Sequence, residues 1–167
     1  MAANEPVGSA ETAFRKGIQA LDRKVYSEAI AAFREAIEAE RTEGAKSPRM
    51  KYVSYLGLTL TYAQGRGDEG VKLCEQAVKR EFFDPDLYCN LGIVCLRNRK
   101  KARAFEAFQK ALNLKPGHAR TLEELERYER RGDPVFTFLP RSHPINRLAG
   151  HLRYRIRLLF GTAISQT

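Results

Sequence analysis

The sequence predicts an all-α fold in which short helices pack in pairs, and two observations lead to this fold class. The first is a repeated pattern, which is clearest in residues 87–116. There Gly92 is followed twelve residues later by Ala104, and the same interval separates Gly17 from Ala29. The second is the spacing of apolar residues after each alanine, in steps of four and three, which is the period of an amphipathic helix.

A third copy of the pattern lies between these two. Gly57 corresponds to Gly17 and Gly70 to Ala29, but the interval is thirteen residues, so the turn between the two helices holds one inserted residue. A small residue recurs at both ends of each interval. Because large side chains there would wedge two crossing helices apart, these positions predict a close approach within each pair.

The helix starts are predicted from capping residues. Ser9 and Ser27 precede the two apolar stripes of the first copy, and Asp68 precedes the second helix of the middle copy. Asp84 followed by Pro85 begins the third copy, since proline loses no needed N–H group at the first helical position.

The repeated pattern resembles the tetratricopeptide repeat, a helix–turn–helix unit of about 34 residues, over roughly residues 10–116. The resemblance implies a right-handed superhelical stack of repeats. We expect a capping helix, on which Leu122, Leu125 and Tyr128 close the exposed end of the stack. The predicted organisation is a flexible leader (1–8), a repeat domain (9–131) with repeats at about 9–41, 47–81 and 84–116 and a capping helix at 118–131, and a C-terminal segment (132–167) with an extended part and a basic amphipathic helix.

The resemblance also implies a binding groove lined by the first helix of each pair. Aligned with the repeat motif, the groove positions are Phe14, Ile18, Leu21, Leu58, Tyr62, Cys89, Asn90, Ile93, Leu96 and Arg97. This lining is mainly apolar, so we expect an apolar peptide or helix as ligand, with Tyr62 and Arg97 as the strongest contacts. Some relatives hold a peptide carboxylate with Lys and Asn of the first repeat. Phe14 and Ile18 stand at those positions, so that clamp is not expected.

The end of the chain predicts a basic amphipathic helix. Its apolar stripe is flanked by Arg147, Arg153, Arg155 and Arg157. These arginines are interpreted as the solvated face of an ordinary helix, as a contact with an anionic membrane surface, or as phosphate contacts. Nucleic acid is the least favoured partner, because no base-reading motif accompanies the charge. The helix could also fill the groove of its own chain, or that of a second copy in a homodimer.

The composition excludes several functional classes. The net charge of +9 arises mainly after residue 60, three cysteines form no disulfide framework, and the first residues lack the apolar run of a signal peptide. No spacing of histidines, cysteines or acids predicts a metal, cofactor or catalytic site. We therefore expect a cytoplasmic, non-catalytic adaptor or scaffold with a protein or peptide partner. The alternative is a peripheral membrane or envelope-assembly factor held at the inner membrane surface by the basic helix.

Overall fold

The computed structural model describes residues 8–42, 48–63 and 66–131, which form seven α-helices and no strand. The helices are α1 (Ser9–Asp22), α2 (Tyr26–Thr42), α3 (Met50–Tyr62), α4 (Gly67–Arg80), α5 (Pro85–Arg97), α6 (Lys101–Leu114) and α7 (Ala119–Arg131). The predicted all-α repeat fold is confirmed.

The first six helices pack as three pairs, α1 with α2, α3 with α4 and α5 with α6. Successive pairs are joined by contacts of α2 with α3 and of α4 with α5, while α3 also packs against α5. These pairs belong to one compact unit that extends to His118, and α7 belongs to a second unit that begins at Ala119. The repeated sequence pattern therefore corresponds to a repeated packing unit.

Glycine allows the close crossing of the outer pairs. A Cβ atom built on Gly17 would lie 2.5 Å from Cε1 of Phe33, and one built on Gly92 would lie 2.4 Å from Cε1 of Phe108. Both phenylalanines are buried. Each ring therefore occupies the space that a side chain on the facing helix would need, which explains the small residue predicted at these positions.

The middle pair uses a different solution at the same crossing. Cys74 stands where the outer pairs have phenylalanine, and its smaller side chain brings the two backbones together. A Cβ atom on Gly57 would lie 2.8 Å from the carbonyl oxygen of Gly70, and one on Gly70 would lie 2.4 Å from the carbonyl oxygen of Gly57. This pair therefore needs glycine on both helices, whereas the outer pairs accept alanine on the second helix.

The predicted helix starts are only partly correct. Asp84 caps α5 by accepting a hydrogen bond from the N–H of Asp86 (2.8 Å), and Pro85 follows as expected. Asp68 does not cap α4. That helix begins at Gly67, and Asp68 in its first turn pairs with Nζ of Lys100 at 3.2 Å. The Asp68 side chain, which the local sequence pattern predicted to cap the helix, forms a tertiary ion pair instead.

The start of α3 is capped by two acidic side chains, one from α2 and one from the residue that follows α4. The N–H of Arg49 donates to Oε2 of Glu40 (2.5 Å), and the N–H of Met50 donates to Oε1 of Glu81 (3.1 Å). Glu40 is buried and also pairs with Nε of Arg49 at 3.0 Å. These bonds fix the beginning of the second pair relative to α2 and α4, in place of a local cap.

Tyr52 next to this cap is buried, and its hydroxyl donates to Oε2 of Glu11 at 3.2 Å. Desolvation is the main reason why the pKa of Tyr52 is raised to about 12, with Arg49 opposing it and Glu11 adding to it. A raised pKa in the folded state gives a stability contribution that is complete below pH ~10 and is lost as the pH rises to ~12.

We therefore expect the free energy of unfolding to fall less for the Tyr52→Phe variant than for the wild type between pH ~10 and pH ~12. The difference between the two losses should be about 2 kcal/mol. Denaturant unfolding at stepwise pH measures this difference. Glu11→Gln removes a negative charge that raises the pKa of Tyr52, so tyrosinate absorbance should then develop at lower pH. Parallel stability curves for wild type and Tyr52→Phe over this range would contradict the assignment.

The last described helix, α7, is amphipathic by itself. Thr121 and Leu125 are buried and Tyr128 is half-buried, whereas Leu122 is 38% exposed. Leu122 was predicted to face inward together with Leu125. The buried stripe instead begins one residue earlier, at Thr121.

Candidate peptide-binding groove on the first helices

All ten residues predicted to line the groove lie on the first helices of the three pairs. Phe14, Ile18 and Leu21 are on α1, Leu58 and Tyr62 are on α3, and Cys89, Asn90, Ile93, Leu96 and Arg97 are on α5. Helix α3 packs directly against α5, and the ring of Phe14 lies edge-on to that of Tyr55 on α3, with a centroid distance of 5.3 Å. The structure thus brings residues from the three repeats onto neighbouring helices.

The ten residues differ in their exposure to solvent. The buried members are Phe14, Leu58, Cys89, Asn90 and Ile93, the half-buried members are Ile18, Leu21, Tyr62 and Leu96, and Arg97 is exposed. An approaching molecule therefore meets the half-buried residues and Arg97 first.

Phe14 is the clearest case of a predicted groove residue that also has a core role. Its ring centroid lies 4.9 Å from that of Tyr52 and 5.6 Å from that of Phe33. Nζ of Lys51 lies 4.8 Å from the centroid of the Phe14 ring, which is a cation–π contact. Phe14 therefore joins the first and second helix pairs.

A buried polar group links α3 and α5. Nδ2 of Asn90 donates to Oγ of Ser54 at 3.0 Å, and Sγ of Cys74 donates to the carbonyl oxygen of Ser54 at 3.4 Å. Within the described part of the chain, Oδ1 of Asn90 has no hydrogen-bond partner. Since a buried acceptor without a partner costs about 1–3 kcal/mol, a donor brought to this atom would gain a favourable bond.

The ends of three helices hold two aromatic rings and a guanidinium in a stack. The rings of Tyr26 and Tyr62 are almost parallel (6°) with centroids 5.5 Å apart, and Cζ of Arg97 lies 4.2 Å from the centroid of Tyr62. No carboxylate within the described ranges lies close enough to Arg97 to form an ion pair. The guanidinium is therefore oriented by the ring and still has donors to offer.

This stack borders a cleft of about 570 Å³ between the ends of α3 and α5 and the start of α4. Thr61, Tyr62, Asp68, Arg97 and Asn98 contribute to its lining. Asp68 is paired with Lys100, so the cation of Arg97 is not neutralised by the acid of the cleft. The two residues predicted as the strongest contacts, Tyr62 and Arg97, thus meet at one open site.

Tyr26 was missed by the sequence prediction. It stands immediately before Ser27, which was expected to cap α2, whereas the helix already begins at Tyr26. A half-buried aromatic at the first position of a helix gives no periodic signal. Its contact with Tyr62 joins residues far apart in the chain, so the pattern of the single repeat could not show it.

The three cysteines are free thiols and are buried. Cys74 and Cys95 occupy core positions. Desolvation raises the pKa of Cys95 above its usual value, and this keeps the thiol protonated. Cys89, predicted to line the groove, is equally buried, so it presents no thiol to solvent.

The described ranges hold no cluster of three or more histidines, cysteines and acids that could bind a metal ion. Across the same ranges, every helix falls short of the length and apolar character that crossing a membrane requires.

Comparisons with known proteins agree with this architecture. The model of the tetratricopeptide repeat family matches residues 85–118, which contain α5 and α6. The first TPR domain of the human RPAP3 protein, solved by NMR, is 16% identical with a TM-score of 0.60, over 73% of this chain and 91% of that one. The Arabidopsis OM64 TPR domain is 17% identical with a TM-score of 0.57, over 74% of this chain and 97% of that one.

Residues 85–118 form a tetratricopeptide repeat, and the fold of the described chain is that of tetratricopeptide-repeat domains. The two solved domains are similar in fold, since identities of 16% and 17% support no closer statement. A search of curated proteins gave no significant match. Tetratricopeptide-repeat domains generally mediate protein–protein interactions and are typically non-catalytic modules.

The predictions for the basic C-terminal helix lie outside the described residues. They comprise the arginines at positions 147, 153, 155 and 157, the contact with an anionic membrane, the occupation of the groove by the tail and the tail-exchanged homodimer. Residues 1–7 of the predicted leader (1–8) also lie outside them.

Proposed function

We propose that this protein is a non-catalytic adaptor that binds an apolar peptide or helix of a partner protein along α1, α3 and α5. The observation that carries the proposal is the stack of Tyr26, Tyr62 and Arg97 beside an open cleft. Tyrosine and arginine are the residue types that most often dominate binding energy at protein interfaces.

The stack supports binding because its side chains are already ordered. The ring of Tyr62 contacts both the ring of Tyr26 and the guanidinium of Arg97. A free arginine or tyrosine loses conformational entropy when a ligand immobilises it, at a cost of about 0.5–1.5 kcal/mol per side chain. Since packing has already restricted these side chains, more of the interaction energy is left for affinity.

Half-buried apolar residues extend the proposed site along α1 and α5. Ile18 and Leu21 pack partly against the core, and Leu96 precedes Arg97 at the end of α5. Each has area that a ligand side chain could still remove from water, at about 25 cal/mol per Å² of apolar surface. An apolar segment with a polar or charged residue near Arg97 therefore fits this lining.

The test begins with selecting peptides from a random display library on the immobilised full-length protein. A selected peptide should bind the Leu96→Glu and Tyr62→Ala variants at least about tenfold more weakly than the wild type. Leu96 is a suitable position because it is half-buried, whereas glutamate at the buried Ile93 would also unfold the chain. Fluorescence anisotropy gives the affinities, and circular dichroism shows that the variants are folded.

The matched control is Leu122→Glu, which places the same charge on α7 at an exposed leucine outside the proposed groove. It should leave the affinity unchanged. The proposal fails if the library gives no binding peptide, or if the selected peptides bind Leu96→Glu and Tyr62→Ala as tightly as the wild type.

A further inference from the structure

A second cleft, of about 370 Å³, lies between the second helices of the first two pairs. We call it the second-helix cleft. Met50, Val53 and Leu56 of α3 form its floor, and Ile37 of α2 and Leu73 of α4 stand at its sides. These residues are apolar, and the cleft shares no lining residue with the proposed groove or with the cleft beside Arg97.

The polar rim of the second-helix cleft is cationic. Arg41 and Arg80 line it from α2 and α4 together with the neutral Gln76, and none of its lining residues is acidic. Arg41 pairs with Glu38 at 2.9 Å, but both side chains are more than half exposed. Such surface pairs contribute about 0–1 kcal/mol, so a ligand carboxylate can exchange with Glu38 at little cost.

Two exposed aromatic rings lie just after the end of α4. Phe82 is 66% exposed and Phe83 is 67% exposed, and the two rings meet edge to face with centroids 5.6 Å apart. They directly follow Glu81, whose carboxylate accepts the hydrogen bond from the N–H of Met50 at the start of the cleft floor. Two adjacent exposed phenylalanines form an apolar patch of the kind that is typical of an interaction site.

We propose that the second-helix cleft and the pair Phe82–Phe83 bind a second protein through an apolar segment flanked by acidic residues. The apolar floor and the two rings would take the apolar side chains, and Arg41 and Arg80 would pair with the carboxylates. The protein would then bridge two partners, one on the first helices and one on the second helices.

The charges beside the rings favour a protein over a lipid surface. Glu81 and Asp84 flank Phe82 and Phe83 directly, and both carboxylates are held as helix caps. Rings inserted into an anionic membrane would bring these two carboxylates to a surface of the same charge. A protein segment can instead place its acidic residues near Arg41 and Arg80 and its apolar residues near the rings.

The test uses the full-length chain carrying Tyr62→Ala and Leu96→Glu, so that peptides of the proposed groove do not dominate. A random display library selected on this chain should give peptides with an apolar core flanked by Asp or Glu. Binding of these peptides should weaken at least about tenfold when Arg41→Glu and Arg80→Glu are added, and again when Phe82→Ser and Phe83→Ser are added instead.

The matched controls are Lys101→Glu, which reverses an exposed charge on α6, and Leu114→Ser, which removes an apolar residue that is 44% exposed at the end of α6. Both should leave binding unchanged. The inference is overturned if no peptide is selected, if selected peptides lack acidic residues, or if the arginine variants bind them normally. It is also overturned if Phe82→Ser leaves peptide binding unchanged and abolishes only the binding of the protein to anionic vesicles or only its self-association. Binding of other peptides in the proposed groove of the wild type is measured separately, so either proposal can fail without the other.

Discussion

Replacing Phe108 with alanine is expected to lower the free energy of unfolding by about 3–5 kcal/mol, because the ring fills the crossing of α5 and α6. Guanidinium unfolding followed by helical circular dichroism measures the loss. The same truncation in the middle pair, Cys74→Ala, removes a single sulfur atom and should cost about 1 kcal/mol. Equal losses at the two positions would show that the Phe108 ring does not stabilise the crossing of α5 and α6.

The contact of Phe108 with Gly92 allows a second test of this prediction. Gly92→Ala in the wild type should cost about 1–3 kcal/mol, because the new methyl group meets the ring. In the Phe108→Ala background the space is open, so the same substitution should cost much less. The coupling between the two substitutions should therefore be about 1–2 kcal/mol. Strict additivity would contradict the assigned contact.

The second large effect is expected at Gly70. A Cβ atom there would lie 2.0 Å from Oγ1 of Thr61 and 2.4 Å from the carbonyl oxygen of Gly57. Backbone atoms cannot turn aside as a side chain can, so α3 and α4 must separate. We expect Gly70→Ala to cost about 2–4 kcal/mol, although alanine normally favours a helix by about 1 kcal/mol over glycine.

The control for this substitution is Gly117→Ala. No atom lies within 4 Å of the Cβ position at Gly117, so the substitution should change the free energy of unfolding by less than about 0.5 kcal/mol. Denaturant unfolding of both variants measures the two changes in the free energy of unfolding. If Gly70→Ala were as stable as Gly117→Ala, the close crossing of the middle pair would be wrong.

The repeated interval between small residues was sufficient to predict the helix pairs. Gly17 and Gly92 lie opposite Phe33 and Phe108, as the close approach required. The pattern predicts the pairs because the helices of each pair pack at their crossing through residues that are close in sequence. The middle pair followed the pattern with a different detail, since the Cys74 position lets the backbones of Gly57 and Gly70 meet.

The exposure of the groove residues and the site at Arg97 could not be predicted in this way. Leu58 and Leu96 were both predicted to line the groove, yet Leu58 is buried and Leu96 is half-buried. Burial depends on the neighbouring pair, which the sequence of a single repeat does not contain. The same limit applies to Asp68, whose pairing with Lys100 replaced the expected cap, and to Tyr26 in the stack.

The most direct measurement of the proposed adaptor function is amide hydrogen exchange of the full-length protein, with and without a library-selected peptide. We expect the peptide to slow exchange in α1, α3 and α5, including the residues around Tyr62 and Leu96, and to leave α2 and α4 unchanged beyond their first turns. Slower exchange confined to α2 and α4, or unchanged exchange in all six paired helices, would contradict binding along the first helices.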